Sequence, residues 1–374
     1  MNNLVYVVDV RNLIQGNKSS LERHLKYSEI LDLRSNGDLC LGIIRFKRQN
    51  CITSGREDGL QVLTLPSYPL ALARVLLLNK IKGNQNASVR VLVAGDPWES
   101  ALSAFILKST YFNSAKVQIQ IHGDIGNKEW IFLTFRNFLR SFMARFTLRS
   151  ADQLRTVGKK QTENLISKYS LPILKCRVVP VSSLFSSSTS SSEVRKSTTT
   201  AIGFVGRLQS DRGIEEFLDL VAKLRSQNLM FSVVVAGDGP ERKNLEFKLG
   251  NMLPPENIKF LGNLNQAEMG SAWSQIGILV STAPTESYGR AIREALAWGI
   301  PVWATPSSGV SDLQREVSQL YVKDLNLDLP ADCQVSTFEE LLSTRVPTEV
   351  RHGLIQADQN ALTALIESWI ELSN

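Results

Sequence analysis

The sequence predicts an α/β protein of two doubly wound, Rossmann-like domains that face each other across a cleft. Three observations lead to this prediction: short Val- and Ile-rich runs ending in Gly or Asp, helical spacing between most of them, and one Ser/Thr-rich interruption near mid-chain. Such runs are typical of parallel strands buried on both faces. Ligands bind sheets of this kind beyond the carboxyl ends of their strands.

Apolar runs mark the predicted strands in both halves, and segments such as "GIEEFLDLVAKLRSQ" (213–227) between them have helical spacing. Before the interruption the runs cover 4–10, 41–46, 61–66, 89–96, 116–124, 153–158 and 176–181. After it they cover 201–207, 231–239, 258–262, 276–282 and 300–305.

The interruption covers residues 182–200, where 13 of 19 positions are Ser or Thr. This composition cannot bury enough apolar surface to offset the entropy of ordering, so it predicts a flexible linker. The predicted domains are therefore 1–181 and 201–355, followed by a C-terminal helix over 356–374.

Charge divides unevenly between the two halves. Residues 1–200 hold 28 Lys and Arg against 14 Asp and Glu, a balance of +14, whereas residues 201–374 hold 14 against 22, a balance of −8. The asymmetry suggests that the first domain faces something anionic; a chance excess of surface Lys and Arg is the alternative. No RNA- or DNA-binding motif accompanies the charge, so we expect no nucleic-acid partner.

Other composition features indicate a cytoplasmic protein. The chain has no run of 18 apolar residues, so no membrane span is expected. Its N-terminus reads as a strand and not as a signal peptide. The four cysteines lack CxxC spacing, which fits a reducing compartment.

Candidate ligand-binding residues follow the strands of the second half. Arg207 and Arg212 lie at a strand-to-helix turn, where two guanidinium groups can hold a diphosphate; solvated surface arginines are the alternative. Further on, Glu286 precedes Gly289, and Glu294 lies in the helix that starts there. This pattern suits a phosphate at the helix start and carboxylates that accept hydrogen bonds from sugar hydroxyls, or else a solvated helix.

The second half resembles the nucleotide-sugar-binding domain of retaining glycosyltransferases of the GT-B fold, glycosyltransferase family 4. The matching segments are "FVGRLQSDRGIEEFL", "VVVAGDGPER" and "ESYGRAIREALAWGIPVWAT", in family order and spacing. The resemblance implies that Arg207 and Arg212 hold the donor diphosphate, that Glu294 binds the ribose and that Glu286 lies against the transferred sugar. The implied donor-binding set is Arg207, Arg212, Gly239, Glu286, Tyr288, Gly289, Arg290 and Glu294.

The first half resembles the family less closely, and the likeness as a whole covers roughly residues 90–320. "QIQIHGDIGNKEW" places His122 at a strand end, where the family has its active-site histidine; a histidine that simply caps the strand is the alternative. The implied catalytic set is His122, Glu286 and Arg207, with residues 1–181 on the acceptor side. The C-terminal helix of this fold often crosses back to the first domain.

The predicted function is therefore retaining transfer of a hexosyl group from a nucleotide sugar to a polysaccharide, lipid-linked or other cell-envelope glycan acceptor. No Asp-x-Asp and no metal-ligand spacing occurs, so we expect no metal and no cofactor. The alternatives are a catalytically inactive nucleotide-sugar-binding protein of the same fold, a nucleic-acid protein, and a sugar phosphorylase or epimerase.

The segment "WIFLTFRNFLRSFMARFTLR" (130–149) predicts an amphipathic helix. Eight of its large apolar residues fall between about 200° and 340° on a helical wheel measured from Arg136, with arginines at both edges. They are Ile131, Phe132, Phe135, Phe138, Leu139, Phe142, Met143 and Phe146. Such a helix suits an anionic membrane surface, which would attach the protein peripherally to the inner face of the membrane. In the alternative, the apolar arc covers the first sheet.

Overall fold

The computed structural model describes residues 3–10, 14, 18–48, 52–66, 88–182, 199–265 and 267–374. The chain divides into two compact units, one made of Met1–Pro180 with Ala361–Asn374 and the other of Val181–Asn360. Of the predicted linker over 182–200, residues 183–198 lie outside the described residues.

The described part of the first unit contains an eight-stranded sheet in the order β3-β4-β2-β1-β5-β6-β7-β8. Every pairing is parallel except that of β3 with β4. The strands are β1 (Asn3–Asp9), β2 (Leu39–Lys47), β3 (Thr53–Glu57), β4 (Leu60–Pro66), β5 (Val89–Ala94), β6 (Lys116–Gln120), β7 (Gln153–Thr156) and β8 (Cys176–Val178).

Both faces of this sheet are buried. Leu4, Tyr6 and Val8 of β1 pack into one hydrophobic cluster and Val5 into another, because successive side chains of a strand point to opposite faces. The helices described in this unit before residue 181 are α1 (Lys18–Arg34), α2 (Glu99–Thr110), α3 (Lys128–Leu133), α4 (Phe135–Ser150) and α5 (Lys159–Tyr169).

The described part of the second unit contains a six-stranded sheet in the order β11-β10-β9-β12-β13-β14, and all of its pairings are parallel. Its strands are β9 (Ala201–Val205), β10 (Ser232–Ala236), β11 (Ile258–Gly262), β12 (Ile278–Ser281), β13 (Val302–Ala304) and β14 (Val322–Asp324). The α-helices after β9 are α6 (Ile214–Ser226), α7 (Arg242–Met252), α8 (Met269–Trp273), α9 (Arg290–Ala297), α10 (Ser308–Glu316), α11 (Ala331–Ser343) and α12 (Thr348–Ser373).

The last helix contributes residues to both units. Its segment from Ala361 onward belongs to the first unit, where Trp369 is buried and its indole N–H donates to the Gln118 Oε1 over 2.8 Å. In the second unit, the earlier part of α12 holds Arg351, whose Nε donates to the Ala297 carbonyl over 3.0 Å. Among the described residues, none of the helices combines the length and the apolar character needed to cross a membrane.

These two sheets, one in each unit, confirm the predicted α/β class with two doubly wound, Rossmann-like domains. One prediction needs correction. The helix expected over 130–149 is interrupted at Thr134, whose side chain accepts a hydrogen bond from the Asn137 amide at 3.1 Å and caps α4. A capping threonine ends one helix and begins the next, which the hydrophobic pattern alone does not reveal.

Candidate functional site

The loop after β9 carries the first candidate residue. Arg207 is exposed there, and among the described residues its guanidinium makes no ion pair. Beside it runs the loop after β10, and the two backbones meet so closely that a Cβ at Gly237 would lie 1.8 Å from the Gly206 carbonyl oxygen. A Cβ on Gly239 would lie 2.3 Å from the Leu208 carbonyl oxygen, so Gly239 allows these loops to pack together.

Arg212 ends a short 3₁₀ turn, Ser210–Arg212, that leads into α6. Its carbonyl accepts a hydrogen bond from the Thr282 hydroxyl at 3.2 Å, which joins this turn to the loop after β12. The next residue, Gly213, has φ of +70°, and a Cβ there would lie 2.1 Å from the Thr282 carbonyl oxygen. Glycine at this position therefore allows Arg212 to lie next to the β12 loop.

Arg212 and Glu286 form an ion pair. The Arg212 Nη1 lies 3.1 Å from the Glu286 Oε2, and both side chains are partly exposed. The Nε atom of Arg212 is buried and donates to no acceptor among the described residues. A buried donor without a partner is unusual, and an anionic ligand oxygen would satisfy it.

The Glu286 carboxylate also caps the start of α9. Its Oε1 accepts from the Gly289 amide at 3.1 Å and more weakly from the Tyr288 amide at 3.4 Å. The Gly289 amide is therefore engaged within the protein and is not itself available to a phosphate. Gly289 itself has φ of +74°, which explains the glycine.

A second helix start meets the same residue. The Gly309 amide, in the first turn of α10, donates to the Glu286 carbonyl oxygen over 2.9 Å. A Cβ on Gly309 would lie 2.7 Å from the Tyr288 amide nitrogen, so only glycine lets α10 approach this closely. Neither Thr282 nor Gly309 was among the predicted site residues; Gly309 follows two serines in "PSSGVSDL", and Ser307 caps α10.

Glu294 lies in α9 and is almost fully buried, with its Oε1 accepting from the Arg290 Nε at 2.8 Å. Burial raises the pKa of Glu294; the charge of Arg290 opposes this increase, and the charge of Asp358 adds to it. A buried carboxylate held by one partly exposed arginine keeps further acceptor capacity for hydroxyl groups.

The raised pKa leads to a prediction about ligand affinity. As the pH falls through the raised pKa, Glu294 becomes neutral and loses its charge-assisted hydrogen bonds, so we expect the Kd for UDP or GDP to rise about fivefold to tenfold. The rise should begin at a higher pH than an ordinary glutamate would give. Calorimetry across pH would measure it.

The variant Glu294→Gln is the control for this prediction, because the nucleotide's own phosphate still titrates in it. Its affinity should be lower at neutral pH and should lack the additional acid-dependent loss. Parallel pH profiles for the two proteins would remove Glu294 from the ligand site. Folding stability depends on pH in the opposite direction, because a raised carboxyl pKa lowers stability as the pH increases from the unfolded to the folded pKa.

Tyr288 contributes little side-chain surface to a ligand. Its ring is buried beneath the Arg293 guanidinium, which lies 4.4 Å from the ring centroid. Arg293 in turn pairs with Glu316 of α10 at 2.6 Å and 2.9 Å. This layer of side chains supports α9 and α10 from within.

His122 belongs to the first unit and follows the carboxyl end of β6. The adjoining backbone is held by Gln161, whose Nε2 donates to the Gly123 carbonyl oxygen over 2.8 Å. Desolvation, and then the charges of Arg155 and Arg23, lower the pKa of His122. His122 is exposed, so water offsets part of the desolvation of its imidazole. Because the ordinary pKa of histidine already lies below 7, a lowered pKa leaves the ring neutral at pH 7.

Sequence comparison matches residues 187–326 to the family model "Glycosyl transferases group 1". A GDP-mannose-dependent alpha-mannosyltransferase of Corynebacterium glutamicum is 33% identical over 133 residues, 35% of this chain and 30% of the relative. A 2-deoxystreptamine glucosyltransferase of Streptomyces kanamyceticus is 29% identical over 117 residues, 31% of this chain and 30% of the relative. The matches thus span about a third of either chain.

Solved structures are similar over the whole chain. Sucrose-phosphate synthase from Thermosynechococcus elongatus superposes with a TM-score of 0.72 at 14% identity and covers 99% of both chains. TarM gives a TM-score of 0.70 at 10% identity, covering 100% of this chain and 99% of its own. The second unit therefore matches the glycosyl transferases group 1 family over residues 187–326, and the chain as a whole has the GT-B fold.

Proposed function

We propose that this protein is a retaining glycosyltransferase of family 4 that moves a hexosyl group from a nucleotide sugar to a glycan or lipid-linked acceptor of the cell envelope. The main support is the arrangement around Glu286. Arg212 pairs with this residue, and the starts of α9 and α10 both donate to it. The buried Glu294 lies just over one turn into α9. Positive charge and carboxylate acceptors are what the diphosphate and the hydroxyl groups of a nucleotide sugar need.

The chemistry follows from the leaving group. As the bond from the anomeric carbon to the diphosphate oxygen breaks, negative charge grows on that oxygen, and Arg207 and Arg212 would stabilise it. The acceptor hydroxyl forms the new bond on the face from which the diphosphate departs, so the configuration is retained without a covalent intermediate. The neutral imidazole of His122 is suited to hydrogen bonding with a sugar hydroxyl.

The names of related proteins support the donor class and leave the sugar open. The matched relatives are named for mannosyl, glucosyl and N-acetylglucosaminyl transfer, and one names phosphatidylinositol. HepE of Anabaena, another GT-B neighbour, was solved with UDP and glucose. We therefore propose a hexosyl donor carried by UDP or GDP.

A donor panel tests the proposal. Purified protein would be incubated with UDP- and GDP-hexoses and envelope lipid extract, and the released nucleotide would be measured. Release that depends on the extract, with a product of retained anomeric configuration, is the expected result. Donor binding without any release would instead identify an inactive nucleotide-sugar-binding protein.

Metal independence is a second prediction. Among the described residues, no group of three His, Cys, Asp or Glu is placed to hold a metal ion, and the arginines can supply the positive charge. Activity should therefore persist in excess chelator at its original rate. Complete loss that is restored by Mg²⁺ or Mn²⁺ would contradict the prediction.

A further inference from the structure

The apolar side of α3 and α4 lies on the surface of the first unit. Phe135 is 77% exposed and Phe142 is 62% exposed, although phenylalanine is usually buried. We define the phenylalanine face as Phe132, Phe135, Phe138, Leu139, Phe142, Met143 and Phe146, all of which are exposed. Ile131, which the wheel placed in the same arc, is buried instead.

The opposite side of α4 packs inward. Ser141, Ala144, Thr147 and Leu148 are buried there. The Ser141 hydroxyl lies 2.9 Å from the Tyr169 hydroxyl, and the Thr147 hydroxyl donates to the Pro97 carbonyl over 2.5 Å. The unit thus holds α4 by its small and polar residues, which excludes the alternative in which the apolar arc covers the sheet.

Aromatic rings on the face contact one another. The Phe135 and Phe138 ring centroids lie 6.5 Å apart, and those of Phe142 and Phe146 lie 5.4 Å apart. Neighbouring aromatic side chains along a four-turn helix form a continuous apolar surface. A continuous surface of this kind marks an interaction site, whereas single exposed apolar residues do not.

The charges on α4 point to the kind of partner. This helix contains four arginines and no Asp or Glu. Arg140 pairs with Glu99 at 3.2 Å, and the exposed Arg136 lies 3.9 Å from the same carboxylate. Arg145 and Arg149 are exposed beside the face. A second copy of this chain seated face to face would bring arginines against arginines, whereas an anionic lipid surface supplies the opposite charge.

We propose that the phenylalanine face inserts into the headgroup region of an anionic membrane, with α4 parallel to the membrane surface. The rings enter the apolar layer, and the arginines at both edges extend to lipid phosphates. Membrane docking is inferred from the exposure of the phenylalanine face and from the arginines of α4. The further role of docking, which is to hold the first unit near a lipid-linked acceptor, rests on the proposed function.

Vesicle co-sedimentation of the full chain tests the proposal. The protein should sediment with vesicles of phosphatidylcholine and phosphatidylglycerol but not with phosphatidylcholine alone. Raising the salt from about 0.1 M to about 1 M, which shortens the Debye length from about 10 Å to about 3 Å, should release it. The double variant Phe135→Ser/Phe142→Ser should bind at least about tenfold more weakly.

Phe247→Ser is the matched control, because Phe247 is 71% exposed in α7 of the second unit and lies outside the face. It should bind vesicles like the unaltered protein. The charge variant Arg145→Gln/Arg149→Gln should lose binding to anionic vesicles while its circular dichroism is unchanged.

Several outcomes would overturn the proposal. They are equal binding to neutral vesicles, no binding to either kind, equal loss in Phe247→Ser, and a dimer that only Phe135→Ser/Phe142→Ser dissociates. Calorimetry with UDP and GDP in the absence of vesicles tests the nucleotide site of the proposed function separately from membrane docking. If the protein binds nucleotide but not vesicles, the docking proposal fails and the proposed function stands. If it binds vesicles but not nucleotide, the proposed function fails and the docking proposal stands.

Discussion

Arg207→Ala should lower kcat/KM at least about a hundredfold, a loss on the order of 3 kcal/mol in transition-state stabilisation. Arg207 follows β9 and is exposed. Its removal leaves the negative charge that grows on the departing diphosphate without this stabilising positive charge. Arg207→Lys should recover only part of the rate, because an ammonium group cannot make the paired hydrogen bonds of a guanidinium. Steady-state release of nucleotide would measure both effects.

The melting temperature should distinguish loss of chemistry from loss of fold. Arg207 makes no ion pair with any described residue, so its replacement should leave thermal unfolding unchanged. Arg225→Ala provides the control. Arg225 also belongs to the second unit but lies in the last turn of α6, at the opposite end of that helix from Arg212. Wild-type turnover in Arg207→Ala would remove this residue from the catalytic set.

A strand could be predicted from the sequence when its apolar residues form a clear pattern. Most of the parallel strands were predictable, because burial on both faces leaves continuous Val- and Ile-rich runs. The short parallel strand β14 was not predicted, since only Val322 of its three residues is buried. β3 was not predicted, since all five of its residues are exposed. The tight turn at Asp58 and Gly59, both with positive φ, was nevertheless a hairpin signal in the sequence.

Helix α4 shows where pattern reasoning fails. Periodicity predicts an amphipathic helix equally well whichever side faces the protein, and burial of the apolar side is the usual expectation. Here the polar side is buried, because Ser141 and Thr147 find hydrogen-bond partners within the unit. The orientation depends on those distant partners, which no local pattern encodes.

Within the candidate site, residue types at strand ends were predictable but their pairings were not. The sequence places Arg212 and Glu286 74 positions apart, and only the parallel order of β9 beside β12 brings their loops together. The approach of α10 through Gly309 depends on the same packing. Each pairing requires tertiary contacts that a motif does not specify.

Glu286→Gln should lower kcat at least about a hundredfold with little change in fold. The carboxylate makes two kinds of contact, an ion pair with Arg212 at 3.1 Å and a hydrogen bond from the Gly289 amide at 3.1 Å. A glutamine carbonyl can still accept from the amide, so this variant removes the charge and keeps the helix cap. Glu286→Ala removes both and should also cost about 1 kcal/mol in unfolding free energy.

Comparing the two variants separates a catalytic role from a structural one. If Glu286 acts on the transferred sugar, both should lose turnover, while nucleotide affinity, measured with UDP and GDP, changes much less. If it serves only as a cap, Glu286→Gln should keep wild-type turnover and Glu286→Ala should lose mainly stability. Glu246→Gln is the matched control, because Glu246 pairs with Arg242 at 2.8 Å in α7 and has no place in the predicted donor site. A loss of turnover in that control equal to the loss in Glu286→Gln would show that the effect is not specific to the site.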